Sequence, residues 1–415
     1  MSGPSSDIRV LAFVGEGVFA PVLDSQVLMP LAYIGRQAPH IRRAVLILTS
    51  VRFRRDPRVP SRQAAIRAAV PGAQVLFRYR LPLDFPFQRA RWARALRAGL
   101  QAAAFAGHGA IVLHCRGQLT AAAATLVKRR DPRVRILLDM RGASEDEIKA
   151  GGLRGWYLRR SARRTLRLAL QDADALNAVS HKLVDHLRAT GLLTRDIPMA
   201  VVGCCADTQR FYFDPAVRAA RRQELQLADR FVICYCGAMS HWQRPDALAA
   251  TFAAVAQDMP DAHMLIVSRE AEPLLAHLRS LGVPAAKVTA RAASHDQVAS
   301  YLMAADVGLL LRENTLTNRV ASPVKFAEYL RCGLPVVLTP YIGDFSEFAV
   351  RQGVGQTIEF PIRPAEAVAA VRALRTRLAT EGDAFRATCS QVAAAHFSWE
   401  VQAAQIIRLY EALSA

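Results

Sequence analysis

No stretch of the 415-residue chain reaches the ~18 uninterrupted apolar residues that a membrane-spanning helix needs. Its first residues, "MSGPSSDIRV", lack the basic segment and apolar core of a secretory leader. Both absences predict a cytoplasmic protein. No repeat of solenoid length and no low-complexity tract occurs, which excludes repeat architectures. Cysteine is sparse and odd in number, at seven (Cys115, Cys204, Cys205, Cys234, Cys236, Cys332, Cys389), and none is spaced like a zinc finger or knuckle. We expect free thiols serving as small core residues in a reducing compartment.

Acidic residues are scarce in the first half. Residues 1–200 hold 33 Lys and Arg against 14 Asp and Glu, and residues 201–415 hold 21 against 21, so the net charge of +19 comes from the first half alone. The excess concentrates in "VRFRRDPRVPSR", "QRARWARALR" and "YLRRSARRTLRLAL". Arginines at helical spacing beside tryptophan or leucine suit a basic helix on an anionic membrane surface, although solvated arginines on helix backs give the same pattern. A non-catalytic nucleic-acid-binding protein is the rival of a different class. Against it, no aromatics interleave with the basic runs in the manner of an RNA-binding signature, and nucleic acid is not an expected partner.

The apolar runs alternate with longer helical patterns. "IRVLAFVGEG", "RRAVLILTSV", "AQVLFRYR", "GAIVLHCRG", "VRILLDMRG" and "ADALNAVS" read as buried strands, and "FVICYCGAMS", "AHMLIVSRE", "AKVTARAA", "ADVGLLLRE", "LPVVLTP" and "GQTIEF" repeat the grammar. The chain is too long for one core. It therefore predicts an α/β protein of two doubly wound, Rossmann-like domains, 1–202 completed by 397–415 and 203–396, with the boundary near "IPMAVVGCCADTQRFYF".

In open parallel sheets ligands bind beyond the carboxyl ends of strands. There the stretch "NRVASPVKFAEYLRCGLPVVLTP", Asn318 to Pro340, combines a strand end at Arg312 and Glu313, a Ser322 N-cap and a Pro323 helix start. Lys325 is then a cation in a first turn whose dipole is already positive, which suggests an anion shared with the free amides. Glu328, one turn on, lies where it can accept from a pair of ribose hydroxyls; an ordinary surface pair with Lys325 is the alternative. Gly15 and Gly17 follow the first strand, where backbone amides can approach a phosphate or sugar. Arg312 and Arg244 are candidates to neutralise phosphate. His114 and Arg116 follow another strand, and Asp139, Arg141 and Glu147 are candidates to position an acceptor hydroxyl or to pair with one another. Asp172 to Asp174, "DAD", precedes a strand and reads as structural rather than metal-binding.

"SPVKFAEYLRCGLPVVLTP" with Gly343 and Asp344 resembles the donor-site motif of bacterial family 4 glycosyltransferases of the GT-B fold, in an SPxKxxEY variant. "VVGCCADTQRF", "NAVSHKLVDHL", "HFSWE", "HCRG" and "LLDMRG" extend the resemblance over most of the chain. It implies two domains facing a central cleft, the last helix crossing back to the N-terminal domain, a nucleotide-sugar donor held by the C-terminal domain and an acceptor by the N-terminal one. It further implies a hexosyltransferase-type reaction that retains anomeric configuration, with no cofactor and no essential metal. By the same resemblance His114, Lys325 and Arg312 are the catalytic candidates. Gly15, Gly17, Arg244, Asn318, Ser322, Lys325 and Glu328 would bind the donor, and Arg116, Asp139 and Arg141 would lie on the acceptor side. A nucleotide-sugar epimerase of the same fold is the rival enzyme. The family motif carries two glutamates seven residues apart; Glu328 matches the second, and Val320 stands at the first. Asn318, Ser322 or Lys325 would take over its contact with the donor sugar. The basic N-terminal half adds an expected partner, an anionic membrane surface on the inner face carrying a lipid-linked saccharide or other glycan acceptor.

Overall fold

The computed structural model describes residues 8–20, 22–81, 87–105, 109–143, 146, 148, 151–239, 243–294 and 296–415. The chain divides into two compact units, Met1–Gly203 with Trp399–Ala415, and Cys204–Ser398.

The first unit is built on seven parallel strands: β1 Arg9–Val14, β2 Arg42–Ser50, β3 Ala73–Arg80, β4 Ile111–Arg116, β5 Val134–Met140, β6 Ala175–Ala178 and β7 Met199–Val201. They lie in the order β3-β2-β1-β4-β5-β6-β7. The second has six parallel strands: β8 Phe231–Cys236, β9 Ala262–Val267, β10 Val288–Arg291, β11 Val307–Leu310, β12 Val336–Leu338 and β13 Gly355–Thr357, ordered β10-β9-β8-β11-β12-β13. Central strands such as β1, β8 and β9 are buried at every position. Helices cover both faces of such a sheet, so its strands are continuous apolar runs rather than alternating ones. Every strand expected from the sequence is present. In each sheet the order reverses once, between β1 and β4 and between β8 and β11, and these are the switch points where a doubly wound sheet opens a crevice.

The chain's last helix, Trp399–Ser414, packs in the first unit against the helix Met29–Gln37. It buries Trp399, Ile406 and Tyr410, and Glu400 accepts a 3.0 Å hydrogen bond from Tyr33 Oη. In the second unit Asp306, at the foot of β11, is buried and receives three guanidinium groups. Arg218 and Arg386 each lie 2.6 Å from Oδ1 and Arg222 lies 3.2 Å from Oδ2, while the Val232 amide donates to Oδ2 at 2.7 Å. Burial opposes ionisation, but the three arginines hold the carboxyl below its ordinary range.

All seven cysteines are buried thiols, none of them in a disulfide. Lys128 Nζ donates to both Asp174 oxygens, at 2.7 and 2.8 Å, so this "DAD" carboxylate anchors a helix end to β5, where its Oδ2 accepts from the Ile136 amide. No helix among the described residues is long and apolar enough to cross a membrane.

Candidate functional site

Of the residues expected to bind a donor, Arg244, Asn318, Ser322, Lys325 and Glu328 lie in the second unit, around the β8/β11 switch point, whereas Gly15 and Gly17 follow β1 in the first. Lys325, in the first turn of the helix Val324–Arg331, is half-buried. Its Nζ donates to Tyr235 Oη at 3.1 Å and to Gln243 Oε1 at 3.2 Å, and lies 4.5 Å from the Tyr235 ring centroid. Tyr235 Oη in turn donates to the Ala238 carbonyl at 2.6 Å, which leaves its lone pairs for the ammonium. The amine rests against Gly237, the residue after β8, whose φ is +131°. A Cβ at that position would overlap Lys325 Nζ and Cε. Burial, and then the like charge of Arg312, lower the Lys325 pKa to about 8.

Arg312 is buried beside the same tyrosine, and its backbone is clamped by Thr339. The Arg312 amide donates to Thr339 Oγ1 at 2.9 Å, and that hydroxyl donates back to the Arg312 carbonyl at 2.8 Å. Burial lowers its pKa, against the smaller opposing pull of Tyr235 and Tyr329. The Glu328 carboxylate makes no hydrogen bond or ion pair with any described residue, while its backbone carbonyl accepts the Cys332 amide at 3.1 Å. Burial raises its pKa to about 7, against the opposing pull of Lys325 and Arg210. Lys325 and Glu328 are therefore not a closed surface pair. They are two separate, partly desolvated charges on one helix, and each lacks the counter-charge its burial calls for.

Other expected residues have different roles. Ser322 does not cap the helix. Pro323 takes the N-cap position in extended geometry, and Ser322 Oγ accepts the Cys204 amide at 2.8 Å. Asn318 is buried and donates to the Glu313 carbonyl at 3.0 Å, while its own carbonyl accepts the Gly343 amide at 3.1 Å, so it shapes the loop. Gly343 has φ +47°, and a Cβ there would strike the Ala321 carbonyl, which accounts for this glycine. Arg244 is held by Asp246, at 2.9 Å from Nε to Oδ1, and by Glu313, with its guanidinium 4.2 Å from the Phe360 ring centroid. Its positive charge is already met by carboxylates. Val320 is a core residue at 1% exposure, so the position at which the resemblance would put a first glutamate faces the interior. Of the three proposed stand-ins, only Lys325 has its charged end in the crevice. Tyr235, Gln243 and Gly237 were not singled out from the sequence; the glycine directly after β8, in "CYCG", was the available signal.

In the first unit the β1/β4 switch point carries a denser network. His114 Nδ1 lies 2.6 Å from Tyr410 Oη, and its Nε2 is 3.6 Å from Asp139 Oδ2. Asp139, 2% exposed, also takes Asn177 Nδ2 at 2.8 Å, Arg141 Nε at 3.0 Å and Arg116 Nη1 at 3.5 Å. Burial alone would raise its pKa, yet Arg141, His114 and Arg116 hold it well below the carboxylate range. Arg116 donates to Glu16 Oε1 and Gln26 Oε1, both at 2.7 Å. The space enclosed by His114, Arg116, Asp139, Arg141 and Ile406 is about 20 Å³, room for about one water. A larger cavity of about 310 Å³ opens beside it, between Gly15, Glu16, Arg80, Trp92, Arg116 and Gly117. Gly15 is required by Trp92, whose indole edge occupies the space of a Cβ, and Gly17 turns the chain with φ +96°. Glu147 lies outside the described residues.

Residues 230–378, inside the second unit, match the family described as Glycosyl transferases group 1. Over the whole length the fold resembles sucrose-phosphate synthase from Thermosynechococcus elongatus, with 16% identity and a TM-score of 0.70, covering 98% of this chain and 99% of that one. Anabaena HepE in complex with UDP is similar at 14% identity and a TM-score of 0.67, covering 97% and 100%. The catalytic domain of Arabidopsis thaliana starch synthase IV, bound to ADP and acarbose, is similar at 13% and 0.62, covering 99% and 100%. No curated protein matches by sequence. The architecture is that of GT-B glycosyltransferases. Its six-stranded unit is the part that a glycosyltransferase family model recognises.

Gly237→Ala tests the seat of Lys325. The new Cβ must displace the amine, and alanine disfavours the positive φ. Affinity for a nucleoside diphosphate should fall about tenfold, the scale of a lost charged hydrogen bond, as titration calorimetry would record. Unchanged affinity would separate Gly237 from the site.

Proposed function

We propose that the protein transfers a sugar from a nucleoside-diphosphate donor to an acceptor hydroxyl, with the donor in the six-stranded unit. The observation that carries this reading is Lys325, a desolvated ammonium seated on Gly237 next to a second buried cation, Arg312, at a switch point. A desolvated lysine with a second cation beside it at a strand-end crevice suits a diphosphate, and Glu328 one turn on suits the ribose hydroxyls. The complexes of similar fold with UDP and ADP support the same ligand class.

As the bond from the anomeric carbon to the diphosphate oxygen breaks, its electron pair moves onto the diphosphate. Lys325 and Arg312 stabilise that charge. They also supply from the protein the positive charge that a resident metal would bring, which is our ground for reading a metal-independent hexosyl transfer. For retention, the acceptor oxygen attacks from the face the diphosphate leaves and passes its proton to the departing phosphate oxygen. An inverted product, visible in its anomeric proton coupling, would remove retention from this reading. The acceptor we place on the seven-stranded unit, at the cavity beside Arg80 and Arg116, and we take it to be a glycan carried at an anionic membrane surface inside the cell.

The test is the pH dependence of nucleoside-diphosphate binding in EDTA, screened over several bases. Binding needs Lys325 protonated and Glu328 ionised. A bound diphosphate raises the lysine pKa from about 8, so affinity falls as pH rises above it; bound hydroxyls lower the glutamate pKa from about 7, so affinity falls as pH drops below it. The optimum should lie between these values. Glu328→Gln should lose the acidic limb and bind roughly tenfold more weakly at the optimum. No binding of any base, or a flat profile, would refute the assignment.

A further inference from the structure

We propose that the first two turns of the helix Gly152–Asp172 are a membrane-docking wedge, apolar at the tip and basic behind it, that seats the seven-stranded unit on anionic lipid. Three observations carry this.

First, the helix exposes large apolar side chains where a soluble surface would not. Leu153 is 87% exposed, Trp156 58% and Tyr157 50%, and their i, i+3, i+4 spacing puts them on one face. The opposite face, with Gly155, Thr165, Leu166, Ala169 and Leu170, is buried against the unit.

Second, the same exposed face continues in arginine. Arg160 and Arg164 follow at the next turns, with Arg154, Arg163 and Arg167 flanking them, and no acidic residue occurs from Gly152 to Gln171. The guanidinium of Arg160 lies 5.6 Å from the Trp156 ring centroid. Apolar tip and cationic shaft match the layers of an anionic leaflet, acyl boundary and headgroups. The other basic runs lack this combination. In "QRARWARALR" the tryptophan is Trp92, buried in the core under Gly15, and so unavailable to lipid.

Third, the tip projects from the sheet edge that carries the proposed acceptor site. The neighbouring helix Gln118–Lys128 starts directly after β4, and Gln118 Nε2 donates to the Ala162 carbonyl at 3.2 Å while Lys128 Nζ donates to the Asp172 carbonyl at 2.9 Å. The two helices therefore run side by side in the same direction. At 1.5 Å per residue, Trp156 and Leu153 stand roughly 9 and 14 Å beyond the level of Gln118. Docking through them turns the edge bearing Arg116 and the 310 Å³ cavity toward the headgroups.

The inference rests on the reading that the acceptor is carried by a membrane, and it is tested apart from donor chemistry. The full-length protein is sedimented with vesicles of phosphatidylcholine alone or with 30% phosphatidylglycerol, and nucleoside-diphosphate binding is measured on the same preparations. We expect partitioning to the anionic vesicles only, released by raised salt. The triple variant Leu153→Ser, Trp156→Ser, Tyr157→Ser and the double variant Arg160→Glu, Arg164→Glu should each lose it by roughly tenfold or more, with nucleotide binding and melting temperature intact. Vesicle binding that is absent in wild type, indifferent to lipid charge, or unchanged in the triple variant overturns the proposal. So does loss of self-association in the triple variant without vesicle binding, or RNA binding that the Arg160→Glu, Arg164→Glu variant abolishes in place of vesicle binding. Loss of nucleotide binding with vesicle binding retained would instead count against the donor site.

Discussion

Replacing Lys325 by methionine lowers the rate of sugar transfer by about 10²- to 10³-fold, the usual consequence of removing one pre-placed donor to developing charge, and at neutral pH raises the melting temperature. The two effects have one cause. The amine is held in a partly desolvated crevice beside Arg312, so its ammonium form is disfavoured until an anion arrives. A shift from 10.5 to about 8 corresponds to a cost of up to roughly 3 kcal/mol in the empty protein. The hydrogen bonds to Tyr235 and Gln243 are lost in the variant and offset part of that gain. The sign follows from linkage. Below pH 8 both folded and unfolded states carry the proton and the folded state bears the full penalty. Between about 8 and 10.5 the unfolded state binds more protons, so wild-type stability climbs with pH toward that of the variant. Melting curves at pH 7 and pH 10, beside steady-state rates at saturating donor, measure both. A variant that transfers sugar normally, or that melts lower than wild type at pH 7, would dismiss the leaving-group role.

Asp306→Asn has the largest effect expected on stability. Its carboxylate gathers Arg218, Arg222 and Arg386, and so binds the helices Pro215–Glu224 and Asp383–His396 to the foot of β11. Removing the one negative charge leaves buried guanidinium groups facing each other, which costs about 3–5 kcal/mol. For a unit of this size the melting temperature should drop on the order of 10 °C. The native carboxyl is held below its ordinary pKa, so its contribution is complete above about pH 4 and fades as pH falls through the folded-state value. The gap between wild type and variant should therefore be constant from pH 5 to 8 and narrow only in acid. A loss of less than about 1 kcal/mol would mean that the arginines find water on their own.

Strands and sheets were legible because parallel strands buried on both faces leave continuous apolar runs such as "RVLAFV" and "FVICYC". The place of Arg312 just past β11, and of Lys325 and Glu328 on the helix that follows, came from those runs; His114 and Arg116, expected to follow a strand, instead lie inside the last half of β4. What the sequence concealed was which polar group is already engaged. Ser322 before Pro323 has the local form of a helix cap, yet its hydroxyl accepts an amide 118 positions away, a contact no local rule contains. Arg244 sits in a plausible phosphate loop, but Asp246 and Glu313 hold it. Trp92 lies among arginines at helical spacing, yet it is buried against Phe13 and the space left by Gly15, both far earlier in the chain. Tyr235 and Gln243 meet Lys325 only after β8, its loop and the helix have docked. Long-range satisfaction of polar groups separates residues that resemble a site from those that form one.

The helix that contributes Tyr410 to His114 also imposes an order of assembly. The six-stranded unit is continuous in the chain and is complete once Ser398 has been made. The seven-stranded unit, begun first, waits through those 195 intervening residues for Trp399, Ile406 and Tyr410 to cover β4 and the helix Met29–Gln37. The six-stranded unit needs no later segment to close, whereas the seven-stranded one cannot finish its packing until the last helix is available. A chain cut after residue 398 would therefore keep every residue of its six-stranded unit, yet leave His114 without its tyrosine and the helix Met29–Gln37 without its cover.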